Sequence, residues 1–164
     1  TKNELIKDGV LTNYMVDEFT SRSIENSKPT GSCRRESYRF APTTRMTNTF
    51  IAAGDSDPKD IIASVKDGIY CKDFAGGQVD QSTDQFIFTS TTAYRIKDGK
   101  ITHMIKPISL VGYGYEILPN ITMVGNDIAR APGVCGASSG SCFVEVGQPT
   151  LLISSILVGG AGGK

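Results

Sequence analysis

The sequence has one histidine, His103, and no pair of cysteines in C-x-x-C spacing. Its four cysteines are spread along the chain at Cys33, Cys71, Cys135 and Cys142. A self-contained structural zinc site uses closely spaced cysteine and histidine ligands, so this pattern argues against one.

The chain also lacks net charge and any long apolar run. It has 17 lysines and arginines against 17 aspartates and glutamates, so no general attraction draws it to nucleic acid or to an acidic membrane. The longest apolar stretch, residues 151–158, is interrupted by two serines and is far shorter than the ~20 residues of a membrane helix. We therefore expect neither nucleic acid nor membrane as a partner.

What is present is typical of a folded globular domain. Of the 164 residues, 39% are hydrophobic and 21% are charged, and a chain of this length forms a core without disulfides or metal. We expect one domain over residues 1–164. The chain starts at Thr1, with no signal segment after it, so we expect a piece of a longer, cytoplasmic protein.

One helix is indicated clearly by the sequence. Asp57 is suited to cap it, Pro58 to its first turn and Asp60 to its positive end. An apolar stripe at Ile61, Ile62 and Val65 precedes Gly68, where we expect the helix to end.

Most other regular segments are expected to be strands. The Asp98-Gly99 pair predicts a two-residue hairpin, because both turn positions need a positive φ. A second hairpin is expected over residues 5–11, and a loop over residues 25–31. Strands are predicted over residues 86–91, 93–97, 100–105, 108–111, 121–124, 141–146 and 150–158. The predicted fold class is α+β, mostly antiparallel β-sheet with few helices.

Cys135 stands apart from the other thiols, since it lies in the glycine- and serine-rich segment 132–141. We expect an exposed loop there, in which a thiol approaches a ligand closely. Cys33 and Cys71 are expected to be reduced core residues. If Cys135 were a catalytic nucleophile it would need a base, and His103 is the only imidazole, so a cysteine hydrolase is a minor hypothesis.

Arg34, Arg35, Arg39 and Arg45 alternate with aromatic residues, a pattern compatible with RNA binding. The neutral total charge favours instead a solvated or ion-paired stretch.

Several sequence blocks together resemble the carboxy-terminal region of the TldD/PmbA family. They occur in order over nearly the whole chain: residues 34–39 (RRESYR), 45–49 (RMTNT), 68–70 (GIY), 76–80 (GGQVD), 124–127 (VGND), 133–136 (GVCG) and 147–151 (GQPTL). The GVCG block is similar to that of the TldD-like, catalytic members rather than the PmbA-like ones.

The resemblance implies a zinc metallopeptidase. In that family two histidines of an H-E-x-x-x-H helix and one cysteine hold the metal, and the cysteine matches Cys135. The helix, with the glutamate that acts as general base towards a zinc-bound water, lies upstream of this sequence. No residue of this chain is then assigned to catalysis, and the chain alone is expected to be inactive.

The resemblance also implies partners. Family members are expected to pair, TldD-like with TldD- or PmbA-like, and to enclose a chamber in which unfolded peptides lie extended along a sheet edge. Gly76, Gly77 and Gln78 are candidates for close approach of peptide backbone, and a tight turn needed by the fold explains the glycines equally well.

Two questions are left open by the sequence. One is whether the chain belongs to a non-catalytic binding and dimerisation module, which would have no need of Cys135. The other concerns Cys142, which lies seven residues after Cys135. A disulfide between them would remove the zinc ligand, and we treat it as a hypothesis.

Overall fold

The computed structural model describes residues 2–80 and 82–160. Half of the chain is strand and 11% is helix, which confirms the predicted fold class. The strands, in chain order, are β1 Ile6–Lys7, β2 Val10–Leu11, β3 Cys33–Arg34, β4 Thr43–Thr44, β5 Thr49–Phe50, β6 Asp67–Val79, β7 Gln85–Lys97, β8 Lys100–Ile105, β9 Ile108–Tyr113, β10 Ile121–Val124, β11 Ala129–Ala137, β12 Gly140–Gln148, β13 Leu151–Ile153 and β14 Leu157–Gly160. The helices are α1 Pro58–Ser64 and α2 Gly114–Ile117, with short 3-10 helices at Thr20–Ser23 and Leu118–Asn120.

The chain forms two compact units. The first comprises residues 1–52 and 129–148, and the second comprises residues 53–128 and 149–164. The expectation of a single domain over the whole chain stays a prediction.

Within the described residues, the first unit contains three sheets. β1 pairs with β2, and β3 pairs with β4, each antiparallel. β11 and β12 form a long antiparallel hairpin, and β5 adds to β12 in parallel. Val16 and Val144 are its buried apolar residues among those described.

The second unit is built on a five-stranded antiparallel sheet. Its order is β14-β9-β7-β6, and β8 pairs with the distal part of β7 beyond β9. β10 and β13 form a separate antiparallel pair. Ile61 of α1 and Ala93, Ile96 and Ile108 of the sheet are buried.

The helix α1 begins as the sequence predicts and ends earlier. The Asp57 carboxylate accepts a hydrogen bond from the Lys59 amide at 2.8 Å and caps the first turn. The last helical residue is Ser64, because the backbone turns extended at Val65 and the amides of Asp98 and Gly99 bond to the carbonyls of Lys66 and Val65. Gly68 therefore lies in β6 and does not end the helix.

Both predicted hairpins are present. Asp98 and Gly99 have φ of 46° and 74°, as the turn between β7 and β8 requires. Asp8 and Gly9 also have positive φ, 50° and 78°, between β1 and β2. The predicted loop over residues 25–31 contains no regular structure.

Several strand predictions need correction. Residues 86–91 and 93–97 belong to one continuous strand, β7. Residues 150–158 form two strands, β13 and β14, separated at the two serines. The strand β6 is missing from the predictions, because Gly68, Gly76 and Gly77 lower the strand propensity of a segment that is largely exposed. In the described part of the chain, no helix is long and apolar enough to cross a membrane.

Candidate metal centre

Cys135 lies in the strand β11, not in a loop. Residues 129–137 pair in an unbroken register with residues 140–148, and only Ser138 and Ser139 form the turn. The expectation of an exposed loop over residues 132–141 is therefore wrong. Glycines in this segment do not prevent strand formation, since the adjacent strand satisfies their backbone groups. The thiol consequently occupies a fixed register position on a sheet.

Cys142 is the residue directly opposite Cys135. Directly opposite residues of an antiparallel pair present their side chains on the same face. Both cysteines are half-buried and unpaired in a disulfide, and they share that face with the buried Val144. The opposite face carries Val134 and Phe143, which are 64% and 94% exposed. The two thiols thus lie on the more buried face of the hairpin.

Residues of the Arg34–Glu36 segment contact the hairpin around Cys135. The Arg34 guanidinium donates through Nη2 to the Cys135 carbonyl at 2.9 Å and through Nε to the Met46 carbonyl at 2.8 Å. The Glu36 carboxylate accepts from the Ser141 amide at 2.7 Å. These contacts surround the cysteine pair on both strands.

The arginine-rich stretch is partly solvated, as its sequence favours: Arg35 and Arg39 are exposed, whereas Arg34 and Arg45 are partly buried. RNA binding by this stretch stays a prediction. Arg34 is partly buried and binds backbone carbonyls, and Arg39 lies 5.7 Å from the ring centre of the exposed Tyr38. None of the four arginines forms an ion pair within the described residues. The structural role of Arg34 has no local signal, because its partner Cys135 lies 101 residues away.

The other two thiols lie elsewhere. Cys33 is exposed, so the expectation that it fills the core is wrong, and Cys71 is half-buried. Desolvation raises the pKa of Cys33, and the nearby Asp17 charge raises it further. Desolvation also raises the pKa of Cys71, against a hydrogen bond from Ser90. Both thiols are therefore disfavoured as thiolate ligands or nucleophiles.

Residues 2–80 and 82–160 contain no group of three or more His, Cys, Asp or Glu side chains arranged to hold a metal ion. The donor that this chain does offer, Cys135, is chemically suited to zinc, which binds cysteine sulfur. His103 lies in the other unit, on β8, where it is exposed and its Nδ1 is 3.3 Å from the Thr102 hydroxyl. The minor hypothesis of a Cys135–His103 hydrolase stays a prediction.

The second candidate region is the outer end of β6, in the second unit. Gly76, Gly77 and Gln78 pair with Thr89, Phe88 and Ile87 of β7. They lie in a strand, so the turn interpretation of the two glycines is wrong. In the described part of the sheet β6 pairs only with β7, which leaves its other side as an edge.

Gly76 and Gly77 are glycines for different structural reasons. A Cβ on Gly77 would clash with the Ile87 carbonyl oxygen of the partner strand, so this position requires glycine. Gly76 has φ of 131° at an irregularity of the strand register, and the space around a Cβ there is open. Open space at Gly76 is compatible with close approach of another backbone.

The sequence blocks 124–127 and 147–151 are hydrogen-bonded to each other. Asp127 accepts hydrogen bonds from the Thr150 amide at 2.9 Å and from its hydroxyl at 2.7 Å. The Gly125 amide bonds to the Thr150 carbonyl at 2.7 Å. The hydrogen bonds from Thr150 lower the pKa of Asp127. These residues join β10 to β13 and offer no reactive group.

Comparison with known proteins places the chain among metallopeptidase C-terminal domains. Residues 1–160 match the model of the PmbA/TldA metallopeptidase C-terminal domain. A metalloprotease TldD homolog of Haemophilus influenzae is 48% identical over 160 residues, which cover 96% of this chain and 33% of that protein. A zinc metalloprotease TldD homolog of Saccharolobus solfataricus is 28% identical, over 96% of this chain and 35% of that protein.

A solved structure with the same fold is TldE from Thermococcus kodakarensis. It superposes with a TM-score of 0.72 at 18% identity, over 95% of this chain and 33% of that one. The chain belongs to the PmbA/TldA metallopeptidase family, as its C-terminal domain. It spans about a third of the length of the curated relatives that it matches.

Proposed function

We propose that this chain is the carboxy-terminal part of a zinc-dependent peptidase in which Cys135 supplies one zinc ligand. The observation that carries the proposal is the placement of Cys135. Cys135 lies in a strand, third from the turn-side end of β11, on the half-buried face of a hairpin. Hydrogen bonds with a distant segment hold both strands of that hairpin. A ligand to a catalytic metal needs such fixed support.

The remaining ligands come from outside this chain. The resemblance implies two histidines of an upstream H-E-x-x-x-H helix, together with the glutamate that accepts a proton from water. When bound, zinc lowers the pKa of its water and polarises the peptide carbonyl. Cys135 contributes a thiolate, which the metal stabilises, and no residue of this chain moves a proton in the reaction. The chain alone is therefore expected to be inactive.

The outer edge of β6 is proposed to bind peptide. An extended peptide that adds a strand to an edge forms main-chain hydrogen bonds, which are independent of its side chains. Gly76 provides room for that backbone, and Gly77 and Gln78 continue the edge. Substrates are then unfolded or extended peptides, in peptide maturation or proteolysis. A homologous TldD- or PmbA-like subunit completes the proposed dimer.

The test uses the completed protein, meaning this chain joined to the upstream region that its curated relatives carry. Zinc is measured by elemental analysis, and hydrolysis is measured with an unfolded protein substrate. In Cys135→Ser, both bound zinc and hydrolysis should fall sharply. The matched control Cys33→Ser removes an exposed thiol of the same unit and should change neither.

Two outcomes would contradict the proposal. Zinc unchanged in Cys135→Ser would remove the ligand assignment. Absence of both zinc and hydrolysis in the native completed protein would favour the alternative, a non-catalytic β-rich binding or dimerisation module of the same family.

A further inference from the structure

The β11–β12 hairpin is held near its turn by a segment far away in sequence. Arg34 and Glu36 are separated from their hairpin partners by 101 and 105 residues. A two-stranded hairpin by itself is marginally stable, and β5 pairs with β12 at Val146 and Gly147, at the end far from the turn. One face of the hairpin is solvent-exposed at Val134 and Phe143. Apolar packing on that face therefore does not fix the position of the hairpin.

Arg34 fixes the β11 side. Its planar guanidinium joins the carbonyl of Cys135 to the carbonyl of Met46, at 2.9 Å and 2.8 Å. A charged donor bonded to two carbonyls restrains both the distance and the direction of the backbone at Cys135. The third nitrogen, Nη1, is buried and has no hydrogen-bond partner among the described residues. The Arg34 guanidinium is therefore partly removed from water, and one of its hydrogen bonds is made to the backbone of Cys135 itself.

Glu36 fixes the turn and the β12 side. Its amide donates to the Ser139 carbonyl at 2.8 Å, and its carboxylate accepts from the Ser141 amide at 2.7 Å. Ser139 is fully buried. Gly140 has φ of 84°, and a Cβ there would lie 2.5 Å from the Glu36 carboxylate. The turn is thus shaped to receive this side chain.

We infer that Arg34 and Glu36 are positioning residues for the zinc site, acting through the backbone on either side of the cysteine pair. The inference rests on the proposed function, in which Cys135 is a metal ligand. Neither side chain donates to the metal. Arg34 donates to the carbonyl of the ligand residue Cys135, and Glu36 accepts from the N–H of Ser141, the residue before Cys142 in β12. Together they keep the Cys135 thiol at one place and orientation.

The inference predicts a loss of metal affinity without a loss of the ligand. Removal of residues that orient a metal ligand lowers metal affinity about 10- to 100-fold. In the completed protein, Arg34→Met should weaken zinc binding by about that factor, measured by competition with a chelator. Arg34→Lys, which keeps the charge but not the two-point contact, should lie between Arg34→Met and the native protein.

The matched control is Arg35→Met. It removes the same charge and the same side-chain type from an exposed neighbour of Arg34, and it should bind zinc like the native protein. A readout beyond stability comes from the cobalt-substituted protein, whose thiolate-to-cobalt absorption band reports the geometry of the metal–sulfur bond. The band should shift or broaden in Arg34→Met and stay unchanged in Arg35→Met.

Glu36→Gln provides a second test that is milder for folding. The amide keeps the size of the side chain and loses the charged acceptor for Ser141. Hydrogen exchange at the Ser141 amide should accelerate, and zinc binding should weaken in parallel. This variant keeps the inference testable if Arg34→Met fails to fold.

The outcomes separate this inference from the function on which it rests. If Cys135→Ser loses zinc while Arg34→Met and Glu36→Gln bind zinc within twofold of the native protein, the positioning role is wrong and the proposed function stands. Equal loss in Arg34→Met and Arg35→Met would also overturn it, because charge alone would then explain the effect. If Cys135→Ser keeps its zinc, the proposed function itself fails.

Discussion

The β11–β12 hairpin and the β6–β7 ribbon are both long antiparallel strand pairs. The turn of the ribbon is stabilised by residues within that turn, whereas the turn of the hairpin is stabilised by a residue far away in sequence. At the end of the ribbon, the Asp80 carboxylate accepts from the amide and hydroxyl of Ser82, at 2.8 Å and 2.6 Å, within the same turn. The turn of the hairpin is held by Glu36, more than a hundred residues away. A local contact shapes a turn, whereas a distant contact fixes where that turn lies.

This difference matches the tasks that we propose for the two regions. A metal ligand must be placed to within a fraction of an ångström, so its strand benefits from distant attachment. A sheet edge that binds extended peptides needs only an unpaired backbone, and Gly76 and Gly77 leave it free of side chains. Variants in each region show whether metal binding and peptide binding are separable in this way.

The largest expected effect concerns the thiols, which differ between the regions. Cys135 and Cys142 face each other across the hairpin, whereas Cys71 of the ribbon lies opposite Ala93. With oxidised glutathione, the two hairpin thiols should lose two protons and two electrons and form a disulfide, while the oxidant becomes two glutathione thiols. The completed protein should then lose nearly all of its zinc.

The measurement combines elemental analysis with a count of free thiols. Cys142→Ser should keep its zinc under the same oxidant, while the control Cys71→Ser should lose zinc like the native protein. A free-thiol count that is the same before and after oxidation would end the disulfide hypothesis.

The next effect compares two glycines whose Cβ would contact neighbouring atoms. Gly140→Ala would press against Glu36 and strain a residue with φ of 84°, and Gly77→Ala would press against the Ile87 carbonyl. Each should lower the free energy of unfolding by about 1–3 kcal/mol, measured by urea denaturation. Zinc affinity should fall only in Gly140→Ala. A fall in both variants would mean that the two regions are not separable.

A smaller effect concerns the substrate of the ribbon. If peptide binds to the β6 edge through its backbone, methylation of one bonded peptide nitrogen removes a hydrogen bond worth about 1 kcal/mol, or about fivefold in KM. Methylation at the alternate nitrogens, which face away from the edge, should have little effect. Equal KM values for all the methylated peptides in steady-state kinetics would argue against strand addition.

The smallest effect is a pH dependence in the second unit. Hydrogen bonds from Thr150 lower the pKa of Asp127 below 3.8, so the ionised carboxylate stabilises the fold above the unfolded-state pKa. This stabilisation is lost as the pH falls through the lower, folded-state pKa. Asp127→Asn should therefore lower the melting temperature slightly at pH 7, and the difference should shrink in acid. A difference that grows in acid would contradict the assignment.

Local signals predicted much of the fold. The cap at Asp57 and the turn at Asp98-Gly99 follow from the chemistry of single residues, and both are confirmed. The end of α1 could not be predicted in the same way, because the β7–β8 turn binds the carbonyls of Val65 and Lys66 from another part of the chain. The strand β6 cannot be predicted from local sequence either, since its glycines are tolerated in a strand only because β6 pairs with β7.

The candidate site shows the same division. Cys135 is recognisable from its sequence block, but the glycines and serines around it predict a loop, because both residue types are common in turns. The register that sets it opposite Cys142 depends on the whole hairpin. The contacts of Arg34 and Glu36 depend on tertiary structure, and a local view of these charged residues indicates only a solvated surface.

X-ray absorption at the zinc edge of the completed protein would show whether Cys135 binds zinc. We expect one sulfur ligand per zinc at about 2.3 Å, together with nitrogen or oxygen ligands at about 2.0–2.1 Å. The sulfur signal should be present in Cys142→Ser and Cys33→Ser and absent from whatever zinc remains in Cys135→Ser. A zinc spectrum without sulfur in the native protein would show that Cys135 is not a zinc ligand.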